Sequence, residues 1–345
     1  MRCMWRSLTL LLLLPCACWV SPDPALWQHE TGVDQPHIVD LPPSDGTTAD
    51  HVSRDQPAQD ALTDTLPTDM LPPDLGPPPR LTCGPQTAVG TGQPTSPSDV
   101  ALTPDRLTLV ANASGGRYAT SRSSPGQAFG AWSTTTVIGS GGEDPTFFTY
   151  QAKELLIVSR SYPASGDPRR LELCSFPGLI CDGLPVEDSG GTVTYDMDGP
   201  SVAVIGGTVL MVHNIGVGGS NTADIFLAEP KNLSDLSQGF KTSPVTAINQ
   251  ASVKEDDPAL SPDGLVILYS APSTAGDSDL WISQRTSLSD PFPAPEQLAD
   301  VNTSSSENSA YMAPMSPVGG KTRLELFFAS GRSGATLIYR CECTR

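Results

Sequence analysis

This 345-residue sequence predicts an all-β fold made of about five copies of one four-stranded unit. Three observations predict it. Residues 257–285 read as strand, turn, strand, turn, strand; a second copy of that skeleton aligns without a gap at residue 99; and weaker copies recur about every fifty residues, the spacing of a repeat architecture.

Within residues 257–285, Ala259-Leu260 leads into Ser261-Pro262-Asp263-Gly264. Proline fixes φ at the second turn position and glycine accepts a positive φ at the fourth. Residues 265–269, Leu-Val-Ile-Leu-Tyr, form a continuously apolar, β-branched run without helical spacing, the pattern of a strand buried on both faces. A turn cluster at 272–277 and the strand Leu280-Trp281-Ile282 follow.

Asp257, Pro258, the Ser-Pro-Asp-Gly turn, the apolar strand, Gly276, Asp279, Leu280, Trp281 and Arg285 together resemble the WD-repeat-like repeat of TolB-type periplasmic proteins. That resemblance implies a β-propeller whose inter-blade loops bind other proteins.

The first copy places Asp99, Thr103-Pro104-Asp105-Arg106 and Leu107 under Asp257, Ser261-Pro262-Asp263-Gly264 and Leu265. Its downstream half agrees too. Tyr118 and Arg122 match Trp281 and Arg285, and the seventh residue after each arginine is Phe129 or Phe292. Weaker copies begin at Asp144-Pro145 and at Asp198-Gly199-Pro200, the latter with 208–212 as its expected inner strand; a last one uses 313–317, 324–328 and 336–339. Five starts give five blades, and a sixth fits only if the interval from Asp198 to Asp257 hides a short extra unit.

The last copy stops after three strands, while residues 81–89 precede the first start unused. Propellers close by letting one terminus complete the other's blade, so 81–89 is expected to be the outer strand of the final blade. Cys83 then lies beside Cys341 or Cys343, which share one strand face, so the choice between them stays open. Cys174 and Cys181 flank a Phe-Pro-Gly turn and are expected to link neighbouring strands.

Ahead of the domain, Arg2 and Arg6 flank the apolar run 8–14, and Pro15-Cys16-Ala17-Cys18 follows; residues 1–18 read as an export signal. The start resembles that of bacterial lipoproteins, with Cys18 as the acyl acceptor and Cys16 the weaker one, although Pro15 stands where the family pattern has leucine. Trp19 after the acceptor favours the outer membrane. Residues 19–79 form an expected disordered acidic tether: between 21 and 82 lie twelve prolines and ten aspartates, too little apolar surface to offset ordering entropy. The expected address is periplasmic or outer-membrane-anchored, with membrane contact only through lipid. The formal charge of −18 opposes nucleic-acid binding, which needs basic surface.

Chemistry is sparse. His213 is the domain's one histidine and lies in an apolar strand, a structural position. No phosphate loop, dinucleotide fingerprint, Gly-x-Ser-x-Gly or zinc spacing occurs. Asp99, Asp144, Asp198 and Asp257 stand at the same place in successive repeats and are expected to ring the channel mouth, with Glu143, Glu255 and Asp256 adding to the ring. A residue repeated in every blade reads first as structural, held by hydrogen bonds to backbone. Tyr118, Phe129, Trp132, Phe226, Trp281 and Phe292 read as core between blades. The expectation is a monomeric, non-enzymatic protein-binding or scaffold propeller of the cell envelope, without cofactor or metal. The alternative is a glycan-binding or glycoside-hydrolase-like five-bladed propeller using the channel carboxylates.

Overall fold

The computed structural model describes residues 79–345 except 139–141, 163–166 and 217–221. The expected signal peptide, the lipidation site Cys18 and all but the last residue of the tether lie outside them. Among the described residues no helix is long and apolar enough to cross a membrane.

Two short strands come first, β1 (Thr82–Cys83) and β2 (Thr87–Ala88). Blade 1 contains β3 (Ser98–Leu102), β4 (Thr108–Ala113), β5 (Gly116–Ser121) and β6 (Ser133–Thr134). Blade 2 contains β7 (Gly142–Tyr150), β8 (Lys153–Tyr162), β9 (Asp167–Ser175) and β10 (Cys181–Gly183). A hairpin of β11 (Val186–Asp188) and β12 (Gly191–Thr192) precedes blade 3, which contains β13 (Asp196–Ile205), β14 (Thr208–Gly216), β15 (Ala223–Pro230) and β16 (Phe240–Pro244). Blade 4 contains β17 (Asp256–Leu260), β18 (Val266–Pro272), β19 (Ser278–Gln284) and β20 (Glu296–Gln297). Blade 5 contains β21 (Glu307–Val318), β22 (Lys321–Ser330) and β23 (Leu337–Thr344).

Every blade is an antiparallel meander, and the innermost strands abut in the order β3, β7, β13, β17, β21 and back to β3. This is a five-bladed β-propeller. Among the described residues the interval from Asp198 to Asp257 holds no sixth blade. Blade 3 instead gains two strands, because the β11–β12 hairpin pairs in parallel along β16. The apolar run 208–212, expected as the inner strand of blade 3, is the second strand; the inner one is β13.

The continuous apolar runs follow from having a blade on either side. In β18, Val266 and Leu268 face blade 5, whereas Ile267, Tyr269 and Ala271 face blade 3. In β22, Leu324, Leu326 and Phe328 face blade 4 while Phe327 and Ala329 face blade 1. Five apolar clusters fill the five junctions between neighbouring blades. Phe129, Trp132 and Phe292 are buried in them, and Tyr118, Phe226 and Trp281 pack against them.

The two strongest repeats coincide atom for atom. Thr103 and Ser261 each donate a hydroxyl to the aspartate two residues on, Asp105 or Asp263, at 2.6 Å, and the same oxygen accepts the N–H of Leu107 or Leu265. The fourth turn residue has positive φ in both, Arg106 (60°) and Gly264 (70°). Arg122 and Arg285 each donate Nε to that residue's carbonyl and lie over Phe129 or Phe292 at 4.5 and 4.4 Å. The seven-residue arginine-to-phenylalanine spacing is therefore a cation–π clasp.

A second repeated device escaped the sequence reading. Asn249 and Asn302 each accept from and donate to the backbone of one strand residue, Ile225 or Leu280, and a glutamate six or five residues later caps the same loop. Glu255 accepts from the Gln250 N–H and Glu307 from the Thr303 N–H. Val245-Thr-Ala-Ile-Asn and Leu298-Ala-Asp-Val-Asn were the visible signal, obscured by a one-residue difference before the glutamate.

Closure takes place at blade 5. β1 and β2 both pair antiparallel with β23, and the Cys83–Cys343 disulfide spans the paired positions. Cys174–Cys181 joins β9 to β10 in the same way. Arg122 of blade 1 makes a buried bidentate pair with Glu325 of blade 5, at 2.7 and 2.8 Å, and Arg340 supports the same carboxylate at 3.0 Å.

Two outcomes follow. Arg122→Ala leaves a buried glutamate short of two donors and should cost about 3–5 kcal/mol in urea unfolding, with Arg122→Lys recovering part of it. Burial pushes Glu255 up to about 7, so the folded state holds a proton that the unfolded chain releases, and stability falls as pH rises from the ordinary carboxyl range through that value. Glu255→Gln should therefore raise Tm at pH 8 by roughly 3–6 °C and leave it nearly unchanged at pH 5.

Candidate functional site

Each inner strand carries a bulge where it enters the channel. The register slips after Ser98, Glu143, Asp198, Asp256 and Asn308, and the next residue has positive φ: Asp99 (50°), Asp144 (45°), Gly199 (56°), Asp257 (47°) and Ser309 (51°). A bulge of this kind re-aims one side chain out of the ladder. The five re-aimed residues line a narrow cavity of about 30 Å³, room for a single water.

This geometry corrects one assignment. Asp198 is not the repeat-equivalent of Asp99, Asp144 and Asp257; that place belongs to Gly199, and blade 5 supplies Ser309. Asp-Gly-Pro mimics Asp-Pro in a linear alignment, but the bulge counts one residue later. Glycine is required there, since a Cβ on Gly199 would lie 2.9 Å from Pro258. Asp198 stands one step outward, with Glu143 and Asp256. Glu255 does not join the ring either: it is fully buried as a loop cap.

The carboxylates are tied mostly to side chains. Ser98 and Asn112 donate to Asp99 at 3.0 and 3.1 Å, and Ser309 donates to Asp257 at 3.0 Å. Ser159 reaches both Asp144 (2.8 Å) and Asp198 (2.6 Å), and the Gly199 N–H points at Asp144 from 3.4 Å. Arg169 binds Asp198 and, at 3.2 Å, Glu143; Lys254 and Asn214 bind Asp256. The expected cage of backbone amides is absent among the described residues.

Their electrostatics diverge. Burial and the nearby Asp99 charge hold the Asp144 carboxyl well above the usual range, and burial with the Asp256 charge does the same to Asp257. Burial pushes Asp198 up as well, but hydrogen bonds from Asp144 and Ser159 and the Arg169 guanidinium outweigh it and leave Asp198 below its ordinary value. One carboxyl biased toward its protonated form and one biased toward its anion therefore share one serine hydroxyl. The carboxylate oxygens of Asp99, Asp144 and Asp257 also come within 4.8 Å of one another, close enough to share a hard cation.

Beside the mouth, a cavity of about 320 Å³ between blades 4 and 5 is bordered by Lys254, Asp256, Asp257, Ser270, Asp277 and Asn308. Sequence reasoning missed Ser159, Arg169 and Ser309. Ser309 had a signal, the frame Glu307-Asn308-Ser309 beside Glu255-Asp256-Asp257; Ser159 and Arg169 had none, since each acts across strands. His213 is fully buried, 3.0 Å from Thr242 Oγ1, and burial lowers it to about 4, so it serves the core.

No family model and no curated protein matches this chain. Solved structures do. A thermostable family-43 glycoside hydrolase is similar at TM-score 0.51 and 16% identity, over 74% of this chain and 90% of that one. The endo-arabinase of Bacteroides thetaiotaomicron matches at 0.48 and 12%, over 73% and 95%. TolB of Acinetobacter baumannii matches at 0.38 and 13%, over 73% of this chain but 55% of that one. At these identities the likeness is one of fold, the five-bladed propeller. The expectation of a non-enzymatic module is corrected. The structure that matches at TM-score 0.51 is named a glycoside hydrolase, and the mouth pairs a carboxyl biased toward its acid with one biased toward its anion where that expectation required amide-bound aspartates.

Proposed function

We propose that the domain hydrolyses glycosidic bonds at the channel mouth, with Asp144 as proton donor and Asp198 as the ionised partner. One observation carries the reading: two adjacent carboxyl groups on one hydroxyl are driven in opposite directions, which is how one site supplies an acid and a base together. The named activity of the fold's neighbours supports it. Ser159 and a direct hydrogen bond hold the two carboxyl groups closer than the roughly 5–5.5 Å of a retaining glycosidase pair, so the substrate has to part them.

In this reading Asp198, one-fifth exposed, meets the anomeric carbon from the solvent side while Asp144 protonates the leaving oxygen. Arg169 keeps Asp198 anionic and bridges it to Glu143. The substrate's remaining sugars occupy the groove between blades 4 and 5, whose serines, aspartates and asparagine suit hydroxyl groups. Among the described residues no aromatic side chain borders that groove.

A panel of aryl glycosides, α-L-arabinofuranosides included, tests the reading. Turnover should fall by about a thousandfold or more in Asp144→Asn and in Asp198→Asn while both variants still unfold cooperatively. The rate should fall as pH rises through the raised value of Asp144, which must keep its proton, and again as pH drops below the depressed value of Asp198. Absence of turnover on every glycoside by the folded wild-type chain would sink it. The reading includes export and acylation at Cys18; Cys18→Ala should move the protein from the membrane to the soluble envelope fraction.

A further inference from the structure

Three sulfur atoms meet at the seam of the ring. Cys341 and Cys343 are two residues apart on β23, so the strand's period turns both toward the same face, into the apolar cluster between blades 4 and 5. Cys343 is bonded to Cys83 of the closing strand, and the Cys341 sulfur lies 3.8 Å from that of Cys343. All three sulfurs fall within 4.8 Å of one another. Among the described residues Cys341 is the one free thiol, and it is 2% exposed. A cavity of about 940 Å³ opens alongside, bordered by Cys83, Gly84, Pro85 and Cys341.

The geometry points to a thiol–disulfide exchange site that governs attachment of the closing strand. The Cys341 thiol gives its proton to solvent, and the thiolate attacks Cys343. The Cys341–Cys343 bond forms, the Cys83–Cys343 bond breaks, and Cys83 leaves as a thiolate that takes up a proton. One sulfur–sulfur bond replaces another, so neither oxidant nor reductant is consumed.

Alternate residues on a strand lie about 6.6–6.8 Å apart at Cα, within what a disulfide spans, so the product bond is within reach. Burial pushes the Cys341 thiol up to about 12, which keeps the nucleophile protonated in the closed blade. Exchange is therefore slow at rest and gains when β1 is drawn away from β23. Its consequence is mechanical: β1 pairs with β23 at just two positions, Thr82 with Thr344 and Cys83 with Cys343, and loses its covalent hold at the second.

Native alkylation of the full chain tests this. The unreduced protein is treated with N-ethylmaleimide at pH 7 and pH 8.5, digested, and mapped for label and disulfides among the domain's five cysteines. The expected product carries label on Cys83 together with a Cys341–Cys343 bond. It should accumulate more than tenfold faster at the higher pH, as thiolate attack requires. Cys341→Ala and Cys341→Ser, which keep Cys83–Cys343, should lose that label. The wild-type map decides even where a variant folds poorly. Label on Cys341 with Cys83–Cys343 intact, no label at all, Cys83 labelling that survives in the variants, or a resting bond between Cys83 and Cys341 would each overturn the assignment.

Discussion

Everything in this domain depends on closing the ring. Each sheet is apolar on both faces, so every blade needs a neighbour on both sides, and a row of blades would leave two such faces in water. The burden falls on the junction between the last blade and the first. There the chain contributes more than apolar surface: the N-terminal strands complete blade 5, a disulfide fixes their register, and the buried pair of Arg122 with Glu325 reaches from blade 1 to blade 5. A buried ion pair adds little net stability against an apolar alternative, but breaking half of it is costly. It therefore acts against wrong closures more than for the right one.

The mouth results from the same closure. Five inner strands converge on one axis, and a bulge in each turns one residue inward, so three aspartates, a glycine and a serine meet where little water can enter. Like charges at this distance oppose one another's ionisation, and burial with that repulsion biases Asp144 and Asp257 toward their protonated forms. Asp198 escapes because it stands one residue outward, where hydrogen bonds from Asp144 and Ser159 and the Arg169 guanidinium favour its anion. The split that could serve acid and base chemistry is thus produced by a one-residue difference in register. It runs against stability, since carboxyls held neutral at ordinary pH weaken the fold as pH rises.

Recurrence determined much of the fold in advance. The Ser-Pro-Asp-Gly turn, the both-faces-apolar strands, and the arginine and phenylalanine seven residues apart are local chemistry that any copy must keep, so blades 1 and 4 were legible. The closing strand was legible as well, because three strands at one end and a spare segment at the other can complete each other in one way. Cys341 and Cys343 were equivalent in sequence, and the register of β1 on β23 chose between them.

By itself, then, the sequence determined the repeat unit, the number of starts and the manner of closure, because these rest on contacts within one blade. Tertiary structure alone decided which residues meet at the axis. The bulges shift the inward position by one, which removed Asp198 from the ring and brought in Gly199 and Ser309. It also brought Ser159 between Asp144 and Asp198, and Arg169 beside Asp198 and Glu143. Those partners come from different strands and different blades, and no linear spacing encodes a distance across a channel.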